Sequence, residues 1–222
     1  MSLWIKICGT TSLEDALVAA DAGADAIGFV FAPSPRRVTQ EQVAAITAEL
    51  PPTLEKVGVF VDAEFEETES LVRACGLTGV QLHSDADNHL PKRLREIFGT
   101  SLRIVRVVHF GAGAVSRATA FEKDGNVDAI LVDSRTAAAI GGTGVSFDWA
   151  AARATLFDAA GGRELPRIAA GGLTPANVAE AIATLRPWGV DVVSGVESSP
   201  GRKDSNKVRE FIANARAAGR EP

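Results

Sequence analysis

The fold class the sequence predicts is α/β: a single closed (β/α)8 barrel over residues 1–222. Three observations predict it. Short β-branched apolar runs alternate with amphipathic helical runs along the whole chain, which is the pattern of a parallel sheet. Eight such strands are present. Two glycine loops late in the chain, IAAGGLTP (168–175) and DVVSGVESSPGRKD (191–204), each follow a strand and lead toward a helix. Backbone amides at such a junction make an anion nest without any side chain. Two of them after strands 7 and 8 form the usual phosphate site of this barrel.

The predicted strands, in order, are Leu3–Cys8, Ala26–Phe31, Lys56–Val61, Val80–His83, Arg103–Val108, Ala129–Asp133, Arg167–Ala170 and Val190–Ser194. Between the first two, SLEDALVAADAG (12–23) sets Leu13, Leu17 and Ala20 on one helical face. Thr39-Gln-Glu-Gln42 reads as a capping box, and Thr174-Pro175 as an N-cap followed by proline at the first helical position. A weak repeat supports the count. Gly23-Ala-Asp-Ala, Gly76-Leu-Thr-Gly-Val, Gly125-Asn-Val-Asp-Ala and Gly189-Val-Asp-Val each end a helix and open an even-numbered strand. The rival is an open doubly wound sheet, which would place a G-x-G-x-x-G turn after strand 1. The chain has CGTT there, so the closed barrel is preferred.

Composition bounds the function. The 222 residues are short for a barrel of roughly 250, so most loops must be tight. Net charge is -5 with no basic block, which argues against nucleic acid as a partner. No apolar run approaches the roughly 20 residues of a membrane span, and the N-terminus MSLWIKICGT lacks a signal h-region. No membrane partner is expected. The two cysteines, Cys8 and Cys75, have no metal-site spacing. A reducing cytoplasm is the expected location, where Cys8 stays a thiol.

Active sites of such barrels lie at the C-terminal ends of the strands. Strand 1 ends at Cys8, strand 4 at His83 and strand 6 at Asp133, while Arg36 and Arg37 follow strand 2. Strands 7 and 8 end in Gly171-Gly172 and Ser194-Gly195. A thiol, a carboxylate, arginines and a phosphate nest suit a phosphosugar that carries a second anionic group. The GGTG loop (141–144), with Gly142, suits a lid whose amides approach the phosphate. Each residue also has a plainer reading. Cys8 is the kind of small apolar group that fills strand ends, and Asp133 can cap a loop. His83 is either a substrate-side donor or a strand-end histidine satisfied internally. Asp191 either holds a ribose hydroxyl or pairs with Lys6, since strands 8 and 1 are neighbours in a closed barrel. Cys75, His89 and His109 receive no role.

The motifs KICGTT (6–11), GADAIGFVFAPSPRRV (23–38), VGVFV (57–61), VQLH (80–83), LVD (131–133), GGTGVSFDW (141–149), AGGL (170–173) and VDVVSGVESSPGRKD (190–204) carry a resemblance. In this order and over nearly the whole chain, they are similar to the phosphoribosylanthranilate isomerase family of tryptophan biosynthesis. Ser84 and Val193 depart from the family pattern, and neither replaces a reacting group.

The resemblance implies an Amadori rearrangement of N-(5-phosphoribosyl)anthranilate. In that reaction an acid opens the furanose ring to an iminium and a base removes the C2 proton. By motif, Asp133 is the acid and Cys8 the base. Arg37 is the clamp for the anthranilate carboxylate, with Arg36 as the near alternative. The phosphate contacts are Gly142, Gly171, Gly172, Ser194 and Gly195. The resemblance implies no metal and no organic cofactor, because the iminium is itself the electron sink. Lys6, two residues before Cys8 on the same strand face, is expected to help lower the thiol.

The nearest alternative is another phosphosugar aldose–ketose isomerase on the same barrel, including one that also accepts the histidine-pathway substrate. Such enzymes carry a carboxylate where this chain has Cys8. A hydrolytic reading, with Cys8 as nucleophile and His83 as base, belongs to another class. A non-catalytic phosphosugar-binding protein belongs to a third. The oligomeric state, monomer or homodimer, is not legible.

Overall fold

The computed structural model describes residues 3–83, 89–133, 148–158 and 165–219. Eight parallel strands close on one another in sequence order. They are β1 (Trp4–Cys8), β2 (Ala26–Val30), β3 (Glu55–Phe60), β4 (Gly79–Leu82), β5 (Arg103–His109), β6 (Ala129–Asp133), β7 (Arg167–Ala170) and β8 (Gly189–Val192). The seam is β1 against β8, with Lys6 opposite Asp191. Helices α1 (Leu13–Asp21), α2 (Gln40–Ala48), α3 (Phe65–Ala74), α4 (Leu90–Phe98), α5 (Ala114–Lys123), α6 (Trp149–Ala152), α7 (Val178–Leu185) and α8 (Ser205–Ala218) accompany the strands. A two-stranded hairpin, β9 (Glu197–Ser199) with β10 (Arg202–Lys203), lies between β8 and α8. Among the described residues, no helix is long and apolar enough to cross a membrane.

Strand alternation assigns each side chain to the barrel interior or to the helices. On β1, Ile5 and Ile7 join the core shared with the helices, and Trp4, Lys6 and Cys8 point inward. The floor of the interior is apolar: Trp4, Ala26, Val57, Val105, Val107, Ala129, Leu131, Ile168 and Ala170 pack together. Toward the C-terminal ends the lining becomes polar, with Lys6, Gln81 and Asp191 buried there. The interior is therefore a packed plug below and a chemical surface above.

Two local expectations change. Leu13 and Leu17 of α1 are exposed, and the buried residues are Asp15, Ala16 and Ala19. Small side chains let this helix sit close on the strands, so the larger leucines are turned outward. The helix after AGGL begins at Val178 behind Asn177, three residues later than Thr174-Pro175 suggested. Asn177 Oδ1 accepts from the Thr174 amide at 2.7 Å, closing a turn before the helix proper. The capping box at Thr39 forms as read, with both reciprocal bonds to Gln42 present.

Candidate active site

Cys8 and Asp133 end β1 and β6 at the C-terminal mouth of the barrel. The cysteine is buried at 3% exposure. It lies opposite Gly28 in the β1–β2 register, and a Cβ on Gly28 would meet Cys8 Sγ at 2.5 Å. Only a hydrogen at position 28 leaves room for the thiol.

Beneath Cys8 lies Lys6, whose Nζ donates to Asp191 Oδ1 and to Gln81 Oε1, each at 2.7 Å. All three side chains are buried. Burial disfavours the charged lysine, but Asp191 and then Cys8 more than offset it, and the Lys6 ammonium is held above its ordinary range. Of the two roles read for Asp191, the ion pair with Lys6 is the one present. The carboxylate also borders the small cleft between the two glycine loops described below.

Lys6 pulls the Cys8 thiol down, as expected, but it does not decide the balance. Burial pushes the thiol up, and the net direction is upward although Lys6 pulls against it. Asp191 adds to the rise, and Lys203 opposes it.

Gln81 passes the same network to His83. Its Oε1 is engaged by the Lys6 ammonium, so its Nε2 is the donor to His83 Nε2 at 2.8 Å. That contact makes His83 Nε2 an acceptor and places the imidazole proton on Nδ1. The His83 ring lies 6.0 Å from that of His109, which ends β5 opposite Asp133 in register.

The arginines separate. Arg36 forms a two-pronged pair with Glu197, Nε to Oε1 at 2.8 Å and Nη2 to Oε2 at 2.6 Å. That hydrogen bond leads in holding the guanidinium above its usual range. Arg37 is exposed and bridges by its backbone to Val30 at the end of β2. With Phe31, Val38 and Leu71, Arg37 borders a surface hollow.

The two glycine loops lie against each other. A Cβ on Gly195 would overlap the carbonyl of Leu173, so the close approach requires glycine there. Gly171 and Gly172 have φ of +87° and +67°, a region L side chains rarely adopt. After β8 a single 3-10 turn, Ser194–Val196, stands where the sequence suggested a short helix. Together Asp133, Gly171, Gly172, Asp191, Ser194 and Gly195 border one small cleft. Gly142 and the rest of the GGTG loop lie outside the described residues.

Sequence reasoning missed two buried members of this neighbourhood. Lys203 Nζ donates to the Cys8 carbonyl at 2.6 Å and contacts Glu197 Oε1 at 3.3 Å. The GRKD segment showed only a basic pair. Its signal was positional: Lys203 immediately precedes Asp204, the N-cap of α8, and so is fixed where the chain returns to the barrel.

Comparison with known proteins agrees with this geometry. A family model described as N-(5'phosphoribosyl)anthranilate (PRA) isomerase matches residues 5–214. The N-(5'-phosphoribosyl)anthranilate isomerase of Geobacter sulfurreducens is 45% identical over 214 residues, covering 96% of this chain and 98% of the relative. A crystal structure of phosphoribosyl anthranilate isomerase in complex with reduced 1-(o-carboxyphenylamino)-1-deoxyribulose 5-phosphate superposes with a TM-score of 0.82. It is 35% identical and covers 97% of this chain and 99% of that one. Monomers generated from the dimeric Thermotoga maritima enzyme superpose with a TM-score of 0.80 at 35% identity, covering 96% and 98% of the two chains. The chain belongs to the N-(5'-phosphoribosyl)anthranilate isomerase family, the isomerases of tryptophan biosynthesis.

Proposed function

We propose that this isomerase divides its reaction between Asp133 as general acid and Cys8 as general base. The observation that carries the reading is their placement. Both side chains end strands of one barrel mouth, and Asp133 also borders the cleft between the two glycine loops. Asp133 gives a proton to the furanose ring oxygen, and the ring opens to the C1 iminium. The Cys8 thiolate then removes the C2 proton, and the electron pair moves into the iminium to give an enolamine. Loss of the C2 hydroxyl proton with protonation of C1 completes the amino-ketose. Two protons are added and two removed, so the net change is an isomerisation.

In this reading the amides around Gly171, Gly172, Ser194 and Gly195 take the substrate phosphate, because the strand ends and glycine loops there leave backbone donors facing one cleft. Arg37 takes the anthranilate carboxylate, because Arg36 is already held by Glu197. His83, at the end of the Lys6–Gln81 network, is the donor we assign to a substrate hydroxyl. A dimer, as named for the Thermotoga maritima enzyme, is the assembly we propose.

The test is turnover of phosphoribosylanthranilate generated in situ and followed by loss of its fluorescence. Cys8→Ala and Asp133→Asn should each lower kcat by about 10²-fold or more while leaving the fold intact. Turnover near the wild-type rate in either variant would remove that residue from its role.

A further inference from the structure

Around Cys8 lie buried Lys6, Asp191, Glu197 and Lys203, with Arg36 partly buried beside them. Lys6 is paired with Asp191, while Glu197 is shared by Arg36 and Lys203. Three cations thus meet two carboxylates, and the ion-paired set carries one surplus positive charge. Among the described residues, the charged groups around the thiol come from several elements. β1 supplies Lys6, β8 supplies Asp191, β9 and β10 supply Glu197 and Lys203, and the loop after β2 supplies Arg36, while β2 itself presents only Gly28. Asp15 of α1 meets Lys203 at the backbone amide, with 3.1 Å between them, and makes no ion pair among the described residues. Charges inside a poorly polarisable interior act on one another far more strongly than in water.

We propose that Lys6 and Lys203 are positioning residues that charge Cys8 for proton abstraction, because the thiolate supplies the anion that the cluster lacks. Lys203 also fixes the thiol mechanically, since its Nζ donates to the carbonyls of Cys8 and Val193 at 2.6 and 3.3 Å. The inference rests on the reading of Cys8 as base and says how a buried thiol becomes one. In the step itself the thiol proton has left to solvent, and the thiolate electron pair forms the S–H bond as the C2–H bond breaks. Burial and Asp191 oppose the ionisation, and the two lysines favour it.

The experiment is a pH titration of thiolate ultraviolet absorbance in a Cys75→Ala background, beside the pH profile of kcat/KM. The chain has no tyrosine, so no phenolate overlaps the signal. Lys6→Met and Lys203→Met should each move the Cys8 midpoint upward by about one pH unit or more, and Asp191→Asn should move it downward. A purely structural role would not give opposite signs. If Lys6→Met does not fold, Lys203→Met tests the same sign. Midpoints that stay in place, or that all move in one direction, overturn the proposal. A midpoint that moves without the acidic limb of kcat/KM following it supports the charged cluster and overturns Cys8 as base.

Discussion

Gly28 shows how one absent side chain positions the thiol proposed as base. It pairs with Cys8 across β1 and β2, and any Cβ there would displace the sulfur or the Lys6 stem, whose Cε would lie 3.0 Å away. Gly28→Ala should lower kcat by about 10²-fold through misplacement of the thiol. Overpacking the site should cost about 1–3 kcal/mol of stability. Turnover by fluorescence loss and unfolding in urea check the two effects, and wild-type turnover would show that the thiol has room to move. The positions of Cys8 and Asp133 were legible because each ends a predicted strand, while the roles proposed for them came from the resemblance. Gly28 was not, since its need arises from a neighbour twenty residues away. Arg36 and Arg37 were likewise inseparable until Glu197, 161 positions distant from Arg36, was seen to hold the first.

At the scale of elements, the β9–β10 hairpin ties Cys8 to the loop carrying the arginines. Glu197 holds Arg36 and Lys203 by its side chain, and its carbonyl accepts from Lys207 Nζ at 2.9 Å. Burial pushes its carboxyl up, yet Arg36, through its hydrogen bond, and Lys203 hold it below the usual range. A depressed folded value contributes stability above the unfolded pKa, and this is lost as pH falls through the folded value. Glu197→Gln should therefore cost about 3 kcal/mol at neutral pH by leaving two cations without their partner. The difference should close as pH falls below the glutamate range. Urea unfolding at several pH values checks this, and a constant difference would contradict the ion-pair account. The hairpin itself was not legible, because the ESSPGRK segment carries no alternating apolar pattern. The outward leucines of α1 were misread for a related reason. Periodicity identifies a face, but close packing chose the smaller one.

The whole molecule was the most legible level, since alternation of eight strands with helices leaves few topologies. Its closure is also the chemical device, because the β1–β8 seam brings Lys6 to Asp191 across 185 positions. Arg216 of α8 fastens the end of the chain to its start, donating to the Gly23 carbonyl and Asp25 Oδ2 at 2.7 Å each. The proposed acid and base stand on β6 and β1, so the division of labour we propose belongs to the barrel and not to one motif. Its most direct test is the isotope effect with substrate deuterated at C2, measured in Cys8→Ser and Asp133→Asn. Proton abstraction should limit the rate in Cys8→Ser and give a primary effect, whereas ring opening should limit it in Asp133→Asn and give none. The reverse pattern, or the same effect in both variants, would contradict the assignment.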